Sequence, residues 1–131
     1  MTFSMTDSAP APLPQAAPHK HIDLSIVVPV YKEEGNIRPF LARLEATFMG
    51  YPISYEVIFA LDPSPDRTEE VIREEIRRNP RIRLITFSRR FGQSAATIAG
   101  LMEARGKACG AIDVDLQDPP ELLAEMHRKI V

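Results

Sequence analysis

Leu24-Ser25-Ile26-Val27-Val28-Pro29-Val30 is an apolar, largely β-branched run with no strict two-residue alternation. A strand with one face in water alternates apolar and polar residues, whereas a strand buried on both faces of a parallel sheet need not. The run therefore predicts an interior strand of an α/β fold, provided that helices follow to cover the sheet. Past the linker Tyr31-Lys32-Glu33-Glu34-Gly35-Asn36, residues Ile37, Phe40, Leu41, Leu44 and Phe48 recur at helical spacing and form one apolar face.

The same alternation of strand and helix continues along the chain. Tyr55–Leu61 reads as a second strand, followed by Asp62-Pro63-Ser64-Pro65-Asp66. Asp66 with Glu69 three residues on predicts a capping box. The helix it opens should bury Val71, Ile72 and Ile76, with Glu69/Arg73 and Glu74/Arg78 as outward pairs. Asn79-Pro80 ends that helix. Ile82–Phe87 gives a third strand whose partial alternation suits a less buried position. An Ala-rich helix over residues 94–104 follows, with Gly106 as its stop. The fourth strand runs from Cys109 to Asp113, and a fourth helix opens at Pro119 with Leu122, Leu123, Met126 and Ile130 inward. Strands alternating with helices imply a mainly parallel sheet with right-handed crossovers and helices on both faces. Every loop that leaves a strand's carboxyl end then emerges on one edge, where such folds bind ligands.

With 131 residues, of which 44% are hydrophobic and 26% charged, the chain suits one domain with a real core. Residues 1–21 hold four of the twelve prolines and no apolar periodicity, and read as a disordered leader ahead of a domain over 22–131. Ile130 and Val131 sit in a helical pattern with no stop signal, which predicts a truncated domain that continues past residue 131. The net charge of -2 gives no general attraction to nucleic acid or anionic lipid. The single cysteine, Cys109, excludes an internal disulfide and a cysteine-based zinc site, and its apolar neighbours predict a small buried core residue. No apolar run approaches the roughly 18 residues that would span a bilayer. Neither G-x-G-x-x-G nor G-x-x-x-x-G-K-[ST] is present, so phosphate would have to be held by metal and arginine.

On the predicted binding edge the most acidic stretch is Asp113-Val114-Asp115-Leu116-Gln117-Asp118-Pro119-Pro120-Glu121. Asp118, Pro119 and Glu121 have the form of a helix start. Asp113, Asp115 and Gln117 alternate on one side of an extended segment, and three oxygen ligands there suit Mg²⁺ or Mn²⁺ completed by phosphate or water. Asp62, at the end of a buried strand, is placed to accept hydrogen bonds from a nucleobase or ribose. Glu33 reads either as a ligand or as a first-turn helix acid. Arg89 and Arg90, beside Ser88 and Gly92, read either as a solvated turn or as the positive charge a diphosphate needs. The remaining arginines, Arg73, Arg77, Arg78, Arg81 and Arg83, read as a solvated face.

These residues also carry a family resemblance. Val28-Pro29-Val30-Tyr31-Lys32-Glu33-Glu34 resembles the V-P-x-Y-N-E-E opening of inverting family 2 glycosyltransferases. Asp62 to Thr68 is similar to their D-G-S-x-D-x-T, Ser88 to Gln93 to R-N-x-G-K, and Asp113 to Glu121 to the D-x-D-L-Q-D-P-P-E of the polyprenyl-phosphate branch, which includes dolichol-phosphate mannose synthases. The resemblance implies a GT-A, Rossmann-like nucleotide-binding sandwich, of which this chain is the donor-binding part. It implies a nucleotide-diphosphate sugar donor with Pro29, Tyr31, Glu33, Asp62, Ser64 and Arg89 around the nucleotide, and Asp113, Asp115 and Gln117 around Mg²⁺ or Mn²⁺. Asp113 and Asp115 would be catalytic, a lipid phosphate the acceptor, and the cytoplasm or the cytoplasmic face of a membrane the location, reached through segments after residue 131. Leu61, Pro63, Arg90 and Gln93 depart from the family pattern, which commonly has Asp, Gly, Asn and Lys there. Two alternatives stand beside this reading: a haloacid-dehalogenase-type phosphatase, in which Asp-x-Asp supplies nucleophile and acid/base, and a non-catalytic nucleotide-sugar-binding module.

Overall fold

The structure, a computed structural model, describes residues 3–5, 21–115 and 119–130. A five-stranded sheet contains β1 (Phe3–Met5), β2 (Leu24–Val30), β3 (Tyr55–Leu61), β4 (Ile82–Phe87) and β5 (Ala108–Ala111) in the order β1-β4-β3-β2-β5. The strands β2 to β5 are mutually parallel, with Leu24 opposite both Tyr55 and Ala108, and β1 runs antiparallel to β4 with Phe3 opposite Phe87. The described residues also form four helices: α1 (Ile37–Met49), α2 (Thr68–Arg78), α3 (Gln93–Met102) and α4 (Glu121–Ile130). The α/β class, the parallel sheet and the helices on both faces agree with the sequence reading.

The two faces are unequal. Ile37, Phe40, Leu44 and Phe48 of α1, Val71 and Ile72 of α2, and Leu123 and Ala124 of α4 join Ile26, Val28, Phe59 and Leu84 in the larger core. Phe40 meets Phe59 edge-on at 6.3 Å and Phe48 stacks on Tyr55 at 4.8 Å. Each such side chain contributes about 1.5–3 kcal/mol on burial. On the opposite face α3 sets Ala96 and Ala99 against Ile58, Ala60 and Ile85. The approach is close: a Cβ on Gly100 would lie 2.4 Å from Val27 Cγ1, so glycine is required there.

Several expectations are corrected. Phe3–Met5, inside the segment read as a leader, form the edge strand β1, while residues 1–2 and 6–20 lie outside the described residues. β4 is buried along nearly its whole length because α2 and α3 cover its two faces and β1 occupies its outer edge. β5 ends at Ala111, and Cys109 is exposed rather than buried. As an edge strand, β5 turns Gly110 toward Leu123 of α4 and therefore Cys109 to the other face, where α3 packs over β2 and β3.

The inward face of α4 is Leu123, Ala124 and His127, with Leu122 and Met126 exposed. His127 is drawn in by Tyr51, whose hydroxyl lies 2.9 Å from Nδ1. Glu121 reaches across to Arg43 and Thr47 of α1 and thereby ties α4 to α1. The hydrogen bonds from Arg43, from its own backbone N–H and from Thr47 hold its carboxyl at about 2. Glu74 pairs with Arg38 of α1 rather than Arg78, and Arg78 pairs with Glu75. The Glu69–Arg73 pair is formed.

Arg83, read as a surface arginine, is buried. Its Nη1 donates to Glu56 Oε1 at 3.0 Å and to the carbonyl of Glu103. Glu56 also accepts from Ser25 Oγ at 2.6 Å and from the backbone N–H of Arg105, and Gly106 N donates to Ser25 Oγ. Burial pushes the Glu56 carboxyl up, but these donors outweigh it and the net direction is down. The network fastens the α3–β5 connection to the amino ends of three strands.

Candidate functional site

The strand order reverses at β2, because β3 and β4 lie on one side of it and β5 on the other. In open parallel sheets the carboxyl edge at such a reversal is where ligands bind. A cavity of about 250 Å³ occupies it. Pro29, Val30, Tyr31 and Glu33 line it from β2 and its loop, Asp62 from the end of β3, Arg90 from the loop after β4, Gln93 and Ala96 from α3, and Asp113, Val114 and Asp115 from the segment after β5.

Asp62 organises one wall. It is only 3% exposed, and its two oxygens accept the backbone N–H groups of Phe91, at 3.1 Å, and Gly92, at 2.9 Å. Gly92 has φ of 92°, a conformation that glycine adopts without strain, and α3 begins immediately after it. Asp62 therefore fixes where α3 starts. A carboxylate accepts up to about four hydrogen bonds, so acceptor capacity remains. Gln93, the first residue of α3, donates from Nε2 to Asp113 Oδ1 at 2.6 Å and joins the β4–α3 loop to the acidic segment. The Arg90 guanidinium lies 3.8 Å over the Tyr31 ring, with Nε 3.9 Å from Asp62 Oδ2.

A second set of contacts locks the loops after β2 and β3 together. Ser64 Oγ accepts the N–H of Lys32 at 3.0 Å and donates to Asp66, while Thr68 Oγ1 accepts the N–H of Glu33 at 2.9 Å. Lys32 has φ of 55°, a left-handed conformation that costs an ordinary residue about 1–2 kcal/mol. Those cross-loop bonds offset that strain. Asp66 accepts from Ser64, from the backbone and hydroxyl of Thr68, and from Glu34 N. Burial pushes its carboxyl up, but the four donors prevail and hold it at about 2. Committed in this way, Asp66 does not form the expected box with Glu69, and α2 starts at Thr68 without a side-chain cap.

Of the residues expected at the site, Pro29, Tyr31, Glu33, Asp62, Asp113 and Asp115 are brought to one cavity. Ser64 is not among its walls and acts as the loop fastener just described. Arg89 is not there either; its guanidinium sits 5.0 Å from the Phe91 ring centre, and Arg90 takes the cavity position instead. Gln117 and Asp118 lie outside the described residues. In the sequence Gln93 stands out only as a departure from a family lysine. Its position directly after a βα-loop glycine was the signal that it faces the binding edge.

Among the described residues, Glu33, Asp62, Asp113 and Asp115 bring four carboxylates to the cavity against one guanidinium, a balance that favours a cation. Among the described residues no three His, Cys, Asp or Glu side chains converge into a closed metal cage. Asp113 and Asp115 are hard oxygen donors, the type that suits Mg²⁺ or Mn²⁺ when phosphate and water complete the coordination, so the residues present fit such an ion.

Residues 25–131 match the family model described as Glycosyl transferase family 2. The uncharacterized glycosyltransferase YkcC of Bacillus subtilis is 46% identical over 110 residues, which cover 84% of this chain and 34% of that protein. The dodecaprenyl-phosphate galacturonate synthase of Rhizobium johnstonii is 35% identical over 117 residues, covering 86% of this chain and 35% of the other. Among solved structures, the mannosyltransferase PcManGT from Pyrobaculum calidifontis, in complex with GDP-Man and Mn²⁺, superposes with a TM-score of 0.65 at 22% identity, over 81% of this chain and 31% of that one. That likeness establishes the GT-A fold. The chain spans about a third of the length of the curated relatives it matches.

Proposed function

The chain belongs to glycosyl transferase family 2, and from that premise we propose that its cavity binds a nucleotide-diphosphate sugar for transfer to a polyprenyl phosphate. The observation that carries this is the meeting of Pro29, Tyr31, Glu33 and Asp62 with Asp113 and Asp115 in one crevice at the strand-order reversal. Tyr31 offers an aromatic surface to a base, and Asp62 and Glu33 offer acceptors to base or ribose hydrogens. Asp113 and Asp115, with Gln117 from the sequence, would hold Mg²⁺ or Mn²⁺. That ion would supply positive charge against a departing diphosphate.

The reaction is an inverting displacement. A phosphate oxygen of the acceptor attacks the anomeric carbon from the face opposite the diphosphate, the new C–O bond forms as the bond to the diphosphate breaks, and the diphosphate leaves. The acceptor oxygen is already anionic and needs no base. Asp113, held by Gln93, and Asp62, held by two backbone N–H groups, keep the cavity walls fixed through the exchange. The dodecaprenyl-phosphate relative supports a lipid-phosphate acceptor, and in this reading the reaction runs at a membrane surface, on its cytoplasmic face. No helix among the described residues is long and apolar enough to cross a membrane.

Family membership removes the haloacid-dehalogenase-type phosphatase from consideration. The binding test is thermal. A UDP-, GDP- or CDP-sugar should raise the melting temperature only with Mn²⁺ or Mg²⁺ present. Asp115→Ala should lose that metal-dependent shift, and a variant that kept all of it would refute the assignment. Sugar transfer to a polyprenyl phosphate separates the enzyme from a non-catalytic nucleotide-sugar-binding module.

A further inference from the structure

Among the described residues that line the cavity, Tyr31 is the one aromatic and Arg90 the one cationic side chain, and they are stacked on each other. At 3.8 Å the flat guanidinium covers the ring face as closely as a nucleobase would, so base and guanidinium compete for the same surface. Arg90 is weakly held otherwise. Its Nε lies 3.9 Å from Asp62 Oδ2, beyond hydrogen-bond range, and both oxygens of Asp62 already accept backbone N–H groups. Its side chain is 60% exposed, so it can swing without opening the core or stranding a buried charge.

We propose that Arg90 exchanges the Tyr31 ring for the donor's diphosphate when a nucleotide binds, and so gives the cavity its preference for nucleoside diphosphates over nucleosides and monophosphates. This rests on the donor-binding reading above. A base that takes the ring displaces the guanidinium toward the phosphates, where its planar fork makes paired, charge-assisted hydrogen bonds. Without that charge a diphosphate would enter among Glu33, Asp62, Asp113 and Asp115 with the metal and the more distant Lys32 ammonium, 5.4 Å from the Tyr31 ring centre and not among the lining residues, to offset their repulsion. Arg89 does not substitute for it, since it sits over Phe91. Base entry and diphosphate capture are thereby coupled: either half of the ligand alone gains less than the whole, because the base must displace Arg90 without the compensating phosphate contact.

The test is calorimetric binding to the 131-residue chain in Mn²⁺, with UDP, UMP and uridine and the corresponding guanine series, for the wild type, Arg90→Ala and Arg90→Lys. The wild type should favour the diphosphate over the monophosphate. Arg90→Ala should bind the preferred diphosphate roughly 10- to 100-fold more weakly, yet bind the nucleoside at least as well as the wild type. Arg90→Lys should fall between, since it keeps the charge but loses the fork and the flat stacking surface. Equal weakening of all three ligands would make Arg90 a fixed part of the base platform and overturn the proposal, as would a diphosphate affinity unchanged in Arg90→Ala. If the wild type bound no nucleoside diphosphate at all, the donor reading would fail and this one with it; equal binding by wild type and variant sinks the role of Arg90 alone.

Discussion

At the scale of single residues, the binding edge is built from carboxylates with different duties. Asp113 and Asp115 face the cavity, Asp62 faces it while holding the start of α3, and Asp66 is wholly committed to joining two loops. That last role has a pH signature. The Asp66 carboxyl is held at about 2 in the folded chain, against about 3.9 for an unfolded aspartate. A depressed folded value means that the stabilisation is complete above about 3.9 and is lost as pH falls toward about 2. Asp66→Asn should therefore melt below the wild type at pH 6, with the gap closing between about pH 4 and pH 2 in parallel thermal scans. A gap of constant size across that window would show that the carboxylate's charge is not what joins the loops.

At the scale of elements, α4 shows how a helical pattern leaves its phase open. Leu122 with Met126 and Leu123 with His127 are both i,i+4 pairs, and the sequence offers either as the buried stripe. The choice falls to Leu123 because Gly110 of β5 leaves room for it: a Cβ on Gly110 would lie 2.8 Å from Leu123 Cδ2. Tyr51, two residues past the end of α1, then captures His127 on the same side. Leu123, 7% exposed, and Met126, 58% exposed, should differ accordingly. Leu123→Ala should cost about 2–5 kcal/mol by denaturant unfolding, and Met126→Ala should stay within about 0.5 kcal/mol. Reversed magnitudes would return α4 to the phase expected from sequence.

At the scale of the whole molecule, the ligand cavity and the Glu56–Arg83 network occupy opposite ends of the same strands. From Glu56 to Asp62 the chain advances six residues, about 20 Å at roughly 3.3 Å each. Removing one partner of a buried pair typically costs about 3–5 kcal/mol, because the other charge is left buried. Sites this far apart with no shared partner combine additively, to within about 0.5 kcal/mol. Glu56→Gln should thus lower stability by about 3 kcal/mol or more while leaving calorimetric affinity for a metal-bound nucleotide diphosphate unchanged. A matching loss of affinity would mean that the network sets the cavity's shape through β3.

Local sequence was sufficient for what depends on local chemistry and chain direction. Unbroken apolar runs at Leu24–Val30 and Tyr55–Leu61 have no stable place except between two helical layers, and the helical spacings supply those layers. Parallel strands send their following loops to one edge, so Tyr31, Glu33, Asp62, Asp113 and Asp115 were legible as neighbours before any coordinates. Tertiary structure alone decided which of two adjacent arginines enters the cavity, that Gln93 holds Asp113, that Ser64 and Asp66 serve the loops, and that Arg83 lies inside. In each of these cases a polar side chain had more than one partner of suitable chemistry. Sequence states what a residue can bond, whereas burial and strand order determine which partner is within about 3 Å.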